Sequence, residues 1–193
     1  MRLLARMGFA LVLSAMPAIA GDNEDGMRFL QNQDYAQAIN SFRKAALRGD
    51  ASAQASLGVM YDEGQGVAKD YKQALSWYKK AAAQGNAPGQ NNLGTMYNTG
   101  QGVAQDYKQA MSWYGKAAAQ GYAPAQFNLG IMYATGRGTL RDYVEAHKWL
   151  SLSGANGQEN ATKYREMIEK NMTRERIAEA QRRASEWLKA HGK

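Results

Sequence analysis

The chain contains no cysteine, two histidines and three prolines in 193 residues. The missing thiols exclude disulfide scaffolds, Cys-ligated zinc, iron–sulfur clusters and thiol nucleophiles together. Two imidazoles, His147 and His191, leave little for a histidine metal site or Ser-His-Asp chemistry. Neither HExxH nor GxSxG occurs, and no pair of carboxylates stands out as catalytic. The expectation is a protein without cofactor, metal or catalytic residues. What is present is 45% apolar and 21% charged residues, enough to bury a core and too apolar for a disordered chain.

The first twenty residues read as a targeting segment. Arg2 and Arg6 precede an apolar stretch from Gly8 to Met16, then Pro17 and Ala18-Ile19-Ala20. Small residues three and one positions before Gly21 suit signal peptidase, which predicts a cut after Ala20 and a periplasmic or secreted protein. The apolar stretch falls short of the roughly 20 residues needed to span a bilayer, so no integral membrane segment is expected after cleavage. Without residues 1–20 the formal charge falls from +7 to +5, because Arg2 and Arg6 are the only charges removed. Residues 163–193 hold nine basic and five acidic side chains, so the surplus sits at the C-terminal end. Nucleic acid is not expected as a partner outside the cytoplasm, and a weak contact of the C-terminal segment with an anionic surface is left open.

A tyrosine recurs at Tyr35, Tyr71, Tyr107 and Tyr143, each 36 residues after the last. Residues 51–86 and 87–122 agree at 25 of 36 positions. Leu57, Gly58, Met60 and Tyr61 return as Leu93, Gly94, Met96 and Tyr97, and again as Leu129, Gly130, Met132 and Tyr133. A fixed period of this length marks a repeat array in which one unit cannot bury its apolar face alone.

Two helical patterns fill each unit. In the second, Tyr71, Ala74, Leu75, Tyr78, Ala81 and Ala82 share one stripe of a 3.6-residue period. Asp70 before it and Gln73 three residues later predict a capping box, repeated at Asp34/Gln37, Asp106/Gln109 and Asp142/Glu145. The first helix carries Ala53, Leu57, Met60 and Tyr61 on one face. Gly58, Gly94 and Gly130 lie inside this helix and predict close approach of a neighbouring helix.

The string AQASLGVMYDEGQGVAKDYKQALSWYKKAAAQG closely resembles a Sel1-like repeat, a relative of the tetratricopeptide repeat. Three units, 51–86, 87–122 and 123–158, carry the pattern, and residues 21–50 resemble a plain tetratricopeptide unit. The resemblance implies an all-α, right-handed superhelical solenoid of antiparallel helix pairs with a concave binding face. Residues 159–193 depart from the period and read as capping helices. Residues 160–170 form one more helix of the first type, and Thr173 caps another with Ile177, Ala180, Ala184, Trp187 and Leu188 on one stripe and Arg182, Arg183 and Lys189 toward solvent.

Gly64-Gln65-Gly66, Gly100-Gln101-Gly102 and Gly136-Arg137-Gly138 lack the third glycine, the Lys-Ser/Thr and the strand of phosphate-binding loops, so they read as turns. The aromatic column Trp77/Tyr78, Trp113/Tyr114 and Trp149 reads as packing between repeats. His147 has no partner histidine at i+4 and reads as a surface residue.

The positions that change between repeats fall mostly on one face of the first helix, at 55, 56, 59, 62 and 63 and their equivalents. In tetratricopeptide-like folds this helix lines the concave side. The resemblance and the variability therefore nominate Asn91, Thr95, Asn98, Phe127, Asn128 and Ile131 as the surface that binds a protein or peptide partner. The same resemblance covers envelope regulators and assembly factors for sensor, secretion or motility complexes. It also covers cysteine-rich secreted members described as β-lactamases, whose cysteine pairs are missing here.

Overall fold

The computed structural model describes residues 16–191. Among them the chain is entirely helical, with ten helices and no strand: α1 (Met16–Gln31), α2 (Tyr35–Leu47), α3 (Ala51–Glu63), α4 (Tyr71–Ala83), α5 (Ala87–Thr99), α6 (Tyr107–Ala119), α7 (Ala123–Thr135), α8 (Tyr143–Ala155), α9 (Glu159–Glu169) and α10 (Arg174–His191). The chain divides into two compact units within the sequence of α4, one ending at Trp77 and the other starting at Tyr78. Residues 1–15 of the expected leader lie outside the described residues, and α1 runs through the Ala20–Gly21 junction. None of the described helices is long and apolar enough to cross a membrane.

The second helix of each repeat starts where an aspartate takes the free N–H groups of its first turn. Asp106 accepts from Lys108 and Gln109 N–H at 2.9 and 3.0 Å, and Asp142 accepts from Val144 and Glu145 N–H at 2.9 and 3.2 Å. A cap of this kind is worth about 1 kcal/mol. The glutamine half of the expected capping box, a side-chain oxygen accepting from the aspartate N–H, does not form at Gln37: its amide donates to the Asp34 carboxylate at 3.2 Å, and the Asp34 N–H donates to the Phe29 carbonyl.

The expected apolar faces are the buried ones. In the first unit Ala38, Ile39, Phe42, Ala45, Leu57 and Met60 form the core, with Phe29, Leu30 and Tyr35 at its edge. In the second, Ala110, Tyr114, Ala117, Leu129, Met132 and Leu152 form one core, and Ala146, Leu150, Ala161 and Ile168 another where α8 meets α9. Each large side chain fully buried this way contributes roughly 1.5–3 kcal/mol.

A set of buried glutamines ties the first helix of a repeat to the helix before it. Gln54, Gln90 and Gln126 are 5%, 5% and 0% exposed, and each donates its side-chain amide to a carbonyl near the end of the preceding helix: Ala46, Ala82 and Ala118 at 3.1, 3.3 and 3.3 Å. Those carbonyls are among the last of their helices, and each also accepts from the N–H of the closing glycine, Gly49, Gly85 or Gly121, at 3.1, 3.0 and 3.0 Å. Gln120 and Asn156, at the ends of α6 and α8, donate in turn to the oxygens of Gln90 and Gln126 at 2.8 and 3.0 Å. The buried amides are thus satisfied on both sides, as burial requires.

The C-terminal segment folds as two helices. Thr173 accepts from Arg176 N–H at 3.4 Å at the start of α10, and Ala180 and Ala184 are buried. The edge of Trp187 meets Trp149 of α8, with ring centroids 6.0 Å apart. Arg183, expected toward solvent, instead bridges two helices, meeting Glu145 of α8 at 2.8 Å and Glu179 at 2.7 Å. Glu179 first, and Glu145 after it, hold its guanidinium still more firmly protonated. Arg182 is paired with Glu179 and Glu186, so the carboxylates spend much of the positive charge that the sequence places on α10.

Candidate functional site

The variable face of the first helices is occupied, on α5 and α7, by a chain of side-chain amides. Asn128 donates to Asn91 Oδ1 at 3.0 Å across the two repeats, and Asn91 donates to Asn92 Oδ1 at 3.2 Å. Asn91 is only 7% exposed, so this expected contact residue lies beneath the surface and orients its two neighbours. The chain leaves an acceptor at one end, Asn128 Oδ1, and a donor at the other, Asn92 Nδ2. Thr95 sits one turn along α5 and is committed to its own fold. Its hydroxyl donates to the Asn91 carbonyl at 3.2 Å and lies 3.1 Å from the Tyr114 hydroxyl. Burial holds the Tyr114 phenol above its usual range, against the opposing effect of the Thr95 bond. Asn98 is half-buried on the same helix, and its side-chain amide makes no hydrogen bond with the described residues.

Phe127 and Ile131 are placed differently. Both pack against the core shared by α8 and α9, and Phe127 meets the ring of Tyr164 on α9 edge-on, with centroids 5.3 Å apart at 84°. The six nominated residues therefore divide three ways. Asn91 and Asn128 are joined to each other, with Thr95 fixed beneath them. Asn98 stands uncommitted further along α5. Phe127 lies against α9, and Ile131 packs on the core that α8 and α9 share.

His147 is not a surface residue. It is 1% exposed, with Nε2 2.7 Å from Glu169 Oε1 at the end of α9 and Nδ1 3.3 Å from Ser151 Oγ on its own helix. The order Ser151–His147–Glu169 resembles a hydrolase triad. Ser151, however, lies inside α8, where the neighbouring backbone N–H groups are committed to the helix, so they cannot stabilise an oxyanion. Among the described residues no group of His, Asp and Glu side chains could hold a metal ion.

The Sel1 repeat family model matches residues 24–50, 51–86, 87–122 and 123–158, more than two thirds of the chain. The chain belongs to the Sel1 repeat family. The match takes in residues 24–50, so the segment that resembles a plain tetratricopeptide unit counts as a Sel1 repeat as well. Two solved structures share about a third of the sequence. One is c5321, a protective antigen of uropathogenic Escherichia coli with the same class of fold: 34% identity, 92% of this chain and 39% of that chain, TM-score 0.85. The other is a Sel1 repeat protein from Oxalobacter formigenes: 33% identity, 76% of this chain and 60% of that chain, TM-score 0.70. The Helicobacter pylori cysteine rich protein B shares the fold at 23% identity, with a TM-score of 0.55, over 68% of this chain and 94% of that chain. No curated protein matches the chain. The Sel1 repeat chain thus spans well under two thirds of the length of its two more similar structural relatives.

Within the Sel1 framework the amide chain joins the first helices of the repeats 87–122 and 123–158. Sequence reasoning found Asn91 and Asn128 through their variability but not the burial of Asn91, and it missed Tyr164, which has no equivalent in another repeat. The signal for His147 was present: the same column holds Leu75 and Met111 in the two preceding repeats.

Proposed function

We propose that the chain is an exported Sel1 repeat module, without catalysis of its own, that binds a protein or extended peptide on the variable face of α5 and α7. The observation that carries this reading is the amide chain across two repeats, with Asn128 Oδ1 and Asn92 Nδ2 left open. An amide presents both a donor and an acceptor, which matches the peptide group. Because Asn91 is buried and bonded, its neighbours are oriented before a partner arrives, which lowers the ordering cost of binding. Residues 1–20 serve as the leader and residues 159–193 as the cap of the array. For the leader, the expected outcome is a mature N-terminus at Gly21 in a soluble envelope or culture fraction, and intact Met1 in the cytosol would contradict it.

The binding test pairs Asn98, whose side chain is uncommitted, with Asn128, which holds Asn91 through its amide and keeps its Oδ1 open. Asn98→Ala with Asn128→Ala is expected to weaken binding several-fold to the partner captured by cross-linking in cells, with the helical signal unchanged. Truncations that matter at interfaces usually cost more than about 1 kcal/mol each. Unchanged affinity in this variant, with loss of binding in Arg182→Glu, would move the working surface to α10.

A further inference from the structure

The repeat supplies its own control for α8. At successive equivalent positions the second helices carry Leu75, Met111 and His147, and Gln73, Gln109 and Glu145. Ionisable groups thus enter the stripe only in the repeat on which the C-terminal segment rests. His147 is buried and bonded to Glu169, the last residue of α9. The apolar hold on α9 is small, because Ala161 and Ile168 are its only buried residues. Yet α9 supplies Tyr164, whose ring packs on Phe127 of α7. A cavity of about 240 Å³, walled by His147, Ser151, Arg165, Gln181, Ser185 and Leu188, lies beside the buried imidazole.

We propose that His147 and Glu169 form an acid-sensitive latch that holds α9 over Phe127, so that acid loosens α9 and frees this part of the partner face. The latch itself rests on the structure alone. Its effect on a partner rests on the binding reading above.

The groups around the imidazole set the sign. From α9, Glu169 favours the protonated ring and Arg165 disfavours it. The α10 residues lining the cavity, Gln181, Ala184, Ser185 and Leu188, carry no ionisable group, and Arg183 is engaged by Glu145 and Glu179. On α8 itself Lys148 pairs with Glu145 at 2.7 Å. From α7, Tyr133 packs on the same side, its phenol held above the usual range by burial first and by Glu145 and Asp142 next. Burial is the largest effect on His147 and outweighs Glu169, leaving the ring below its ordinary value near 6.5. With the docked value lowered, undocked His147 takes up a proton first as pH falls. Docking is therefore at full strength above about pH 6.5 and weakens from there down to the lowered value.

The test is hydrogen exchange of the full chain, read as protection factors of α9 relative to α6 at pH 7.5 and 5.5. Opening of α9 is expected to rise on acidification by up to about tenfold, the ceiling that a single lowered imidazole allows over this interval. His147→Met, which restores the residue found at this column in the preceding repeat, should remove that response while α9 stays protected. A second measurement needs no variant: the His147 ring signal, one of two imidazoles in the chain, should titrate below 6.5. Titration at or above 6.5, an unresponsive α9 in the unaltered protein, or the same response in His147→Met would each overturn the latch. An α9 that opens with acid while partner affinity stays constant would keep the latch and overturn only its effect on the partner.

Discussion

Gly138→Val is expected to destabilise the second unit by about 2–5 kcal/mol and to lower its thermal midpoint by roughly 5–15 °C. Gly138 has φ +77, a conformation that β-branched residues essentially never adopt. The space is closed as well. A Cβ there would lie 2.6 Å from the Tyr107 carbonyl oxygen and 2.8 Å from its carbon, and backbone cannot swing aside as a side chain can. Gly66 stands in the same relation to Tyr35, with 2.8 Å to its carbonyl oxygen. Gly66 and Gly138 thus sit in turns that press on the start of the second helix one repeat earlier. Melting followed by circular dichroism checks the value, and an unchanged midpoint would show that the loop can move away at no cost.

Gly94→Leu is the next largest effect. A Cβ on Gly94 would meet Tyr114 at 2.8 and 2.9 Å and the Ala110 carbonyl at 3.2 Å. Tyr114 cannot yield easily, because it is 2% exposed and its hydroxyl is held at 3.1 Å by Thr95. Overpacking of this kind costs about 1–3 kcal/mol. Leucine regains up to about 1 kcal/mol of helix propensity over glycine, so the net loss falls toward the lower end of that range. Gly94→Ala separates the two: it keeps most of the propensity gain and adds only the Cβ. A higher midpoint in Gly94→Leu than in the parent would show that α5 and α6 can part without penalty.

Most of the fold was legible because the chain states it repeatedly. Leu57, Leu93 and Leu129 occupy one column and all three are buried, and the aspartates before α6 and α8 cap as their spacing predicts. The candidate site was legible only in part, because variability reports which positions change and not which are exposed. Asn91 varies between repeats yet is buried, since Asn128 from the next repeat closes over it. Phe127 varies too, and its neighbour Tyr164 lies on α9 beyond the last full repeat, where the period places the buried Ala161 and Ile168 but not the ring contact. His147 was misread because its own helix gives no ligand spacing, and Glu169 approaches it from 22 residues away. Arg183 was misplaced for the same reason: Glu145 lies 38 residues before it. Contacts within and between full repeats follow the period, whereas these ring and charged contacts to the C-terminal segment do not.

The central claim is that the face carrying Asn98 and Asn128 meets a partner. Site-specific photo-cross-linking in cells tests it most directly, with the reactive side chain placed in turn at positions 98, 128 and 182 of the full-length protein. The account predicts one discrete adduct of the same partner from positions 98 and 128, and none of that species from 182. An adduct formed from position 182 alone, with 98 and 128 silent, would contradict it.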